Sequence, residues 1–302
     1  MRVRARLAAA FSAALISCLG LTACATSGPE ATLRSASGPD AASKAAALPA
    51  PVSCSGCWKP ALNTSWQWQL KTVPSAPYLD VAMYDIDGFD ATAADVSKLH
   101  STKSGRKVVC YISAGTYEDW RPDAGDFPSS VLGNNVDGWP GERWLDVRQY
   151  GGKLGTILQK RMDMCKSKGF DAIEFDNVDG YTNDPGFSIS ADDQLNFNTW
   201  LANEAHRRGL SAGLKNDMDQ LQTLQPYFDW ALNEECWTNK ECTSAQTGGY
   251  GYDKYVAAGK AVFNVEYNLD TSKFCSKANA QNFNSLKKDL DLTAYRVPCR
   301  GV

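Results

Sequence analysis

The sequence predicts a (β/α)8 barrel, the TIM-barrel fold, as a single α/β domain over residues 53–302. Eight short apolar or alternating segments with strand character recur along the chain, and amphipathic segments with helical spacing lie between most of them. No Gly-x-Gly-x-x-Gly turn follows an early strand, which argues against an open dinucleotide-binding sheet. Eight alternations within about 250 residues are typical of a closed barrel, whose chemistry lies at the carboxyl ends of its strands.

The strands are predicted from short runs rich in branched and aromatic residues, each followed by a polar cluster. The first is Trp66-Gln-Trp-Gln-Leu, in which apolar and polar residues alternate. The eight predicted strands are residues 66–70, 81–86, 107–112, 171–176, 211–215, 230–234, 262–266 and 293–297.

The helices are predicted from apolar residues at helical spacing. The segment 190–208 is the best marked, because Asp192 and Asp193 lie in its first turn and Gly209 follows its end. The long segment 113–145 is predicted to be an elaborate loop, and residues 144–147 could add a ninth strand. The six predicted helices are residues 92–102, 150–168, 190–208, 218–225, 250–259 and 278–290.

The first 23 residues are predicted to be a lipoprotein signal peptide. Arg2, Arg4 and Arg6 precede an apolar stretch over residues 7–21, which has the length of a secretory h-region and is too short for a permanent membrane span. The segment ends in Leu21-Thr-Ala-Cys24, which resembles a lipobox, and Cys24 would carry the lipid. An ordinary signal-peptidase cleavage is the alternative, although the large Leu21 fits it poorly.

Residues 24–52 are predicted to be a disordered tether, because Ala, Ser, Gly and Pro dominate and no apolar face recurs. A trimmed pro-segment is the alternative. We therefore expect an extracellular protein, held at the membrane only through its lipid or else secreted, and monomeric.

The charge of the chain disfavours nucleic acid as a partner. The formal net charge is −3, and loss of the three leader arginines makes it −6 for the mature chain. No basic stripe follows the leader, so phosphate recognition is not expected and a cationic partner is favoured.

The cysteines predict disulfide bonds. Of ten cysteines, one leaves with the leader and Cys24 is expected to be lipidated, which leaves eight in an exported protein. Local bridges between Cys236 and Cys242 and between Cys275 and Cys299 are plausible, and Cys110 could join Cys165 across a strand and a helix. The remaining cysteines, Cys54 and Cys57, form a C-x-x-C motif for which zinc is a minority alternative, and spacing alone leaves 105 pairings open.

Acidic and polar side chains gather at the predicted strand ends. Any one acid there could merely cap the next helix, but that explanation does not account easily for all of them. The acids are Asp85, Asp87, Glu174, Asp176, Asp179, Asp217, Glu234, Glu235 and Glu266, and the accompanying polar residues include Asn177, Lys215, Asn216 and Asn268.

Other chemistries lack the residues they need. The two histidines, His100 and His206, fall inside predicted helices, so a Ser-His-Asp site or a histidine-zinc site is not expected. Lys215 could form a Schiff base, but the neighbouring carboxylates favour its charged form and hence an ion pair. Paired carboxylates among Trp and Tyr side chains are typical of glycoside cleavage, which requires neither a metal nor a cofactor.

Seven motifs in sequence resemble those of glycoside hydrolase family 114, the endo-α-1,4-polygalactosaminidases. The motifs are Trp66-Gln-Trp-Gln-Leu, Tyr84-Asp-Ile-Asp, Cys110-Tyr-Ile-Ser, Gly141-Glu-Arg-Trp-Leu-Asp, Glu174-Phe-Asp-Asn-Val-Asp-Gly-Tyr, Leu214-Lys-Asn-Asp and Asn233-Glu-Glu-Cys. The resemblance covers residues 58–299 and implies a (β/α)8 barrel that hydrolyses α-1,4-linked polymers of galactosamine or N-acetylgalactosamine.

The resemblance also implies the site residues. It places the catalytic acids at Asp176 and Glu234, with Glu235 as the rival of Glu234. A further similarity to α-galactosidase barrels implies a retaining mechanism with Asp176 as nucleophile and Glu234 as general acid/base. The substrate-binding residues implied are Asp85, Asp87, Asn177, Asp179, Lys215, Asn216 and Glu266. The alternatives are a non-catalytic glycan-binding lipoprotein and a glycosidase for another α-linked sugar.

Overall fold

A computed structural model describes residues 47–301 of the chain. The predicted signal peptide, Cys24 and most of the predicted tether lie outside the described residues. The compact unit begins at Leu48, before the expected domain start at residue 53. The carbonyl oxygen of Pro49 accepts a hydrogen bond from the Tyr227 hydroxyl, and the amide of Val52 donates to the Asn203 side chain. The last residues of the segment predicted to be a tether therefore pack on the domain.

Eight parallel strands form the central sheet in chain order, as a TIM barrel requires. Seven of them lie where the sequence predicted strands. The eight are β1 (Trp66–Gln69), β2 (Met83–Asp87), β3 (Lys107–Ser113), β7 (Ala172–Asp176), β8 (Ser211–Lys215), β9 (Trp230–Glu234), β10 (Val262–Glu266) and β11 (Asn284–Lys287).

An antiparallel insertion occupies much of the segment 113–145 that was predicted to be a loop. Its three strands pair in the order β4 (Thr116–Glu118), β6 (Glu142–Leu145) and β5 (Leu132–Asn135). The possible ninth strand at residues 144–147 corresponds to part of β6, which belongs to this small sheet and not to the barrel.

Helices follow most of the barrel strands and pack on the outside of the sheet. Thr92 and Ser190 cap the first and third helices through capping boxes with Asp95 and Asp193. Within the described part of the chain, no helix is long and apolar enough to cross a membrane. The helices are α1 (Ala93–Ser101), α2 (Lys153–Ser167), α3 (Ala191–Arg207), α4 (Leu221–Leu224), α5 (Cys236–Asn239), α6 (Ser244–Thr247), α7 (Tyr252–Ala257) and α8 (Thr271–Ala280).

The last helix and strand were predicted wrongly. The structure has α8 at Thr271–Ala280 and β11 at Asn284–Lys287, whereas the sequence predicted a helix over 278–290 and a strand over 293–297. Helix α8 starts where the Asp270 side chain accepts from the amide of Ser272, and the left-handed Asn282 (φ 57°) turns the chain into β11. Few apolar residues of α8 are buried, which conceals its periodicity.

The C-terminal segment lies along the seam between the first and last barrel strands. Strand β12 (Val297–Pro298) pairs antiparallel with β11, and no backbone ladder joins β1 to β11 in the part of the chain described. The Trp66 indole donates to the Asn284 carbonyl of β11 at 2.8 Å, and the Gln67 amide donates to the Ala294 carbonyl of the C-terminal segment at 3.0 Å.

Aromatic residues fill the lower part of the barrel. Trp66, Trp230 and Phe263 are almost completely buried and pack against one another, with ring centroids 4.8 Å and 5.5 Å apart for the two contacts to Phe263. Gly213 on β8 makes room for them, because a Cβ there would lie 2.3 Å from the Trp230 ring. These buried aromatic side chains therefore fill the barrel interior below the acids at the carboxyl ends of the strands.

All eight cysteines from Cys54 onward form disulfide bonds. The pairs anticipated as plausible, Cys236 with Cys242, Cys275 with Cys299 and Cys110 with Cys165, are present. Cys54 and Cys57 pair with each other, so the zinc alternative for this motif is not supported.

The Cys110–Cys165 disulfide is expected to contribute most to stability, because it joins β3 to α2 across 55 residues. Replacing both cysteines by Ala should lower the free energy of unfolding by about 2–4 kcal/mol, since the unfolded chain regains the entropy of an open loop. Denaturant unfolding without reductant measures this change. The Cys54→Ala/Cys57→Ala variant removes a bridge across only 3 residues and should lose about half as much. Equal losses would contradict an origin in loop entropy.

Candidate active site

Asp176 and Glu234 lie at the carboxyl ends of β7 and β9, on either side of the Lys215 ammonium group at the end of β8. The Lys215 nitrogen is 3.0 Å from Asp176 Oδ1 and 3.0 Å from Glu234 Oε2. The Lys215 side chain is 3% exposed, and these carboxylates hold its pKa above the ordinary range despite its burial. Lys215 is therefore a permanent cation, as the ion-pair interpretation predicted, and not the neutral amine that a Schiff base needs.

Further donors hold Asp176 in place. The Tyr111 hydroxyl donates to Asp176 Oδ2 at 2.8 Å, and the amide of Asn177 donates to Asp176 Oδ1 at 2.7 Å. Burial, and then the charge of Asp176, raise the pKa of Tyr111, so that its hydroxyl stays a donor at neutral pH. Hydrogen bonds and a cation favour the ionised form of a carboxyl group, which is the form that a nucleophile requires.

Glu234 has a matching arrangement. The Tyr267 hydroxyl donates to Glu234 Oε1, and the Asn216 amide donates to Glu234 Oε2 at 3.3 Å. Asn216 also accepts from the Glu234 backbone amide at 3.0 Å, which fixes the end of β9 against that of β8. Each of the two acids therefore accepts a hydrogen bond from one tyrosine hydroxyl and forms an ion pair with Lys215.

The two acids remain open to solvent, while the polar groups below them do not. The side chains of Asp176 and Glu234 are 18% and 16% exposed, whereas that of Glu174 is 0% exposed. A ligand entering from the carboxyl ends of the strands would meet Asp176 and Glu234 first.

Left-handed backbone follows three neighbouring strands at this edge. Asn177 (φ 62°), Asn216 (φ 51°) and Glu235 (φ 58°) directly follow β7, β8 and β9, and Asp217 (φ 53°) continues the second turn. Such conformations are costly for residues other than glycine, least so for Asn and Asp, and they concentrate at functional sites. They turn the chain sharply after each of the three strands.

Asp85 and Glu174 form a buried carboxyl pair beneath Lys215. Both are 0% exposed, and within the described residues no hydrogen-bond donor reaches either carboxyl oxygen of Asp85. The Trp68 indole donates to Glu174 Oε2 at 3.0 Å. Two neighbouring buried carboxyl groups repel each other when both are ionised, so burial and the charge of Asp85 favour the protonated form of Glu174. Burial raises the pKa of Asp85 to about 7 and that of Glu174 well above its ordinary value. The pair therefore carries at least one proton at neutral pH.

Replacing Asp85 by Asn should make the stability of the protein less dependent on pH. Because the folded state holds the pair's proton more tightly than the unfolded state, the pair stabilises the fold fully below about pH 4 and loses this effect as pH rises through about 7. An Asn amide can donate to Glu174 without titrating. Between about pH 5 and 8, the free energy of unfolding should fall by roughly 1–2 kcal/mol less in the variant than in the wild type. Urea unfolding at each pH measures this difference, and parallel pH curves would contradict a proton held by the pair.

Two acids expected to bind substrate are engaged in other contacts. Asp87 accepts two hydrogen bonds from Arg121, at 3.0 and 2.8 Å, and both residues are buried. Glu266 is 0% exposed and accepts from the backbone amides of Trp237 and Thr238 at the start of α5. Both contacts are structural: Glu266 caps α5, the role considered above for single acids, and Asp87 forms a buried ion pair with Arg121.

Two other predicted residues face neighbouring polar groups. The Asn177 side chain donates to Ser113, Thr116 and Glu142 below the antiparallel insertion, so its side chain positions the β7 turn. Asp179 is 6% exposed, and its charge helps to raise the pKa of Asp217, after burial.

Both histidines lie on helices, as predicted: His100 on α1 and His206 on α3. The His100 ring forms a hydrogen bond with Asp171 at 2.8 Å, and the His206 ring forms one with Asp229 at 2.9 Å.

Glu235 does not take part in the ion pairs that join Asp176 and Glu234 to Lys215. It is the residue after β9, half-buried, and no hydrogen bond or ion pair of its side chain occurs within the described part of the chain. Burial, and then the charges of Glu266 and Glu234, raise its pKa to about 7. A raised pKa suits a general acid, but the geometry pairs Glu234, and not Glu235, with Asp176.

Tyr111, Tyr267 and Trp68 belong to the site but were not predicted from the sequence. Tyr111 lies within the Cys110-Tyr-Ile-Ser motif, two residues before the end of β3, and Tyr267 directly follows β10. Strand alternation could have placed Tyr111 on the inner face. Trp68 lies with its ring 5.0 Å from the Lys215 nitrogen.

The sequence profile of glycoside-hydrolase family GH114 matches residues 48–302. The chain belongs to family GH114. It is a glycoside hydrolase, and its paired carboxylates at the mouth of a barrel agree with that assignment.

The GH114 chain is also similar to solved structures. A structure of Ega3 from Aspergillus fumigatus in complex with galactosamine is 35% identical, with a TM-score of 0.75, and the match covers 82% of this chain and 99% of that one. The glycoside hydrolase domain of PelA from Pseudomonas aeruginosa is 13% identical, with a TM-score of 0.58 and coverage of 77% and 97%, and shows the shared fold alone. A comparison with curated proteins gave no match.

Proposed function

We propose that the protein is an endo-glycosidase that hydrolyses α-1,4-linked polymers of galactosamine or N-acetylgalactosamine, with Asp176 and Glu234 as its catalytic acids. The observation that carries the proposal is the pair of partly exposed carboxylates around one buried lysine at the mouth of a GH114 barrel. The similarity to Ega3, which was solved with galactosamine, supports the choice of sugar.

We propose a retaining mechanism, in which the two acids act close together across Lys215. Asp176 Oδ1 and Glu234 Oε2 each lie 3.0 Å from the same nitrogen, so these two inner oxygens are at most twice that distance, 6.0 Å, apart, while the outer oxygens face Tyr111 and Tyr267. Retaining enzymes hold their carboxyl groups about 5–5.5 Å apart, and inverting enzymes need about 6.5–9.5 Å to admit a water molecule.

The reaction then proceeds in two displacements. Before the reaction Glu234 must take up a proton from solvent, to which its side chain is 16% exposed. Asp176 then attacks the anomeric carbon while Glu234 gives this proton to the glycosidic oxygen, and the bond between that carbon and oxygen breaks. In the second step Glu234 takes a proton from water, and the resulting hydroxyl group displaces Asp176 from the anomeric carbon. Lys215 stabilises the charge on Asp176 before the attack and when it leaves.

Charge favours a substrate with free amines. Ionised carboxylates at the mouth of the barrel attract ammonium groups, and the mature chain carries −6 after loss of the three leader arginines. We further propose that the enzyme acts outside the cell, anchored through a lipid on Cys24.

An assay of reducing ends on an α-1,4-galactosamine polymer tests the activity. The wild type should release new reducing ends within the polymer, whereas saturable binding with no product over a long incubation would instead establish the glycan-binding alternative. A panel of other α-linked polysaccharides tests the alternative of a glycosidase for another sugar. Activity on one of those polysaccharides alone would exclude the galactosamine polymer as the substrate.

A further inference from the structure

A second cleft lies at the opposite end of the barrel from Asp176 and Glu234. It opens at the seam between the start of β1 and the start of β11, beside the C-terminal segment, and encloses about 320 Å³ including its open mouth. Trp66 and Asn284 are the first residues of their strands, so the cleft is at the amino end of the sheet. The residues that matter here are Asn284, Ser285, Arg296 and Arg300, all of which line it.

Three buried polar atoms in the cleft lack partners. Asn284 Nδ2, Ser285 Oγ and Arg296 Nε form no hydrogen bond within the described residues. Asn284 is 7% exposed and Ser285 is 3% exposed. A buried donor without an acceptor destabilises the fold, and native proteins leave few of them unsatisfied. Three in one cleft indicate that an acceptor binds there.

The charge of the cleft indicates which kind of acceptor would bind there. Arg296 has no carboxylate within ion-pair distance among the residues described, and burial lowers the pKa of its guanidinium. Arg300 provides a second guanidinium, held in place by Asn279 and Asn63. No acid lines the cleft in the described part of the chain. Two cations without an acid, in a protein of net negative charge, favour an anion.

We propose that the seam cleft binds a small oxyanion, phosphate or a carboxylate group, through the side chains of Arg296, Asn284 and Ser285. Guanidinium, amide and hydroxyl donors that line one cleft are the groups that recognise the several oxygens of such an anion. The anion would tie the C-terminal segment to β11 where β1 and β11 lack a backbone ladder. Its effect is therefore on the stability of the barrel, and the cationic substrate would not compete for it.

Thermal unfolding with added anions tests the proposal. At constant pH and ionic strength, phosphate or acetate well above its dissociation constant should raise the Tm by roughly 2–4 °C relative to chloride, because the anion binds only the folded state. A shift with phosphate alone, acetate alone or both supports the site and identifies its ligand. Absence of a shift with both anions overturns the proposal.

Variants locate the effect. Arg296→Gln should abolish the anion-dependent shift, and Ser285→Ala should weaken anion binding about tenfold in calorimetric titration while keeping the fold. Lys160→Gln, which removes an exposed cation on α2, should leave the shift unchanged. The proposal fails if Arg296→Gln and Lys160→Gln keep the same shift, or if Ser285→Ala binds as tightly as the wild type.

Discussion

Replacing Asp176 by Asn or Glu234 by Gln is expected to lower kcat for polymer hydrolysis by about 10³-fold or more, while leaving the protein folded. Each change keeps the shape of the side chain but removes the nucleophilic oxygen or the transferable proton. The neighbouring hydroxyl groups keep an acceptor: Tyr111 can donate to the amide oxygen introduced at position 176, and Tyr267 can donate to the one introduced at position 234. Reducing-end kinetics and thermal unfolding measure activity and folding separately.

Glu235→Gln is the matched control for this experiment. Glu235 is the glutamate next to Glu234, its pKa is raised to about 7, and it does not take part in the ion pair between Lys215 and Glu234. We expect the variant to keep its activity within about tenfold of the wild type. A loss in Glu235→Gln as large as that expected for Glu234→Gln, with Glu234→Gln itself active, would transfer the acid/base role to Glu235.

Replacing Lys215 by Met should have the second largest effect, and it should affect activity and stability together. The variant leaves Asp176, Glu234 and Glu174 facing one another without a cation. Removing one partner from a buried ion pair costs about 3–5 kcal/mol, and kcat should fall by about 10³-fold because the nucleophile would tend to retain a proton. Urea unfolding and reducing-end kinetics at pH 7 measure the two changes.

The stability loss in Lys215→Met should depend on pH. Because protonation relieves repulsion among the three acids, the deficit should shrink as pH falls from about 7 to 4. Lys160→Met, on the exposed face of α2, should change neither quantity. If Lys215→Met were as stable and as active as the wild type, the lysine would have no role in holding the acids.

Most barrel strands could be predicted because each is a short apolar run that ends in a polar cluster, as in residues 230–234. The eighth strand could not, because Asn284-Ser-Leu-Lys has little strand character and owes its place to pairing with β10 and β12. Its position depends on tertiary contacts that local sequence does not contain.

The candidate site was predictable in part for a similar reason. Strand ends bring Asp176, Lys215 and Glu234 together in any barrel that follows this order. Asp87 instead pairs with Arg121, which lies in the insertion after β3. The fold of this insertion was not predicted from the sequence. Sequence position thus identified which acids reach the barrel mouth, and only side-chain partners separated catalytic candidates from structural ones.

Mass analysis of the products from a defined α-1,4-galactosamine polymer tests the central claim most directly, when wild type is compared with Asp176→Asn and Glu234→Gln. We predict a ladder of short galactosamine oligomers from the wild type, with none above background from either variant. Intact polymer after incubation with folded wild type, or the same ladder from both variants, would contradict it.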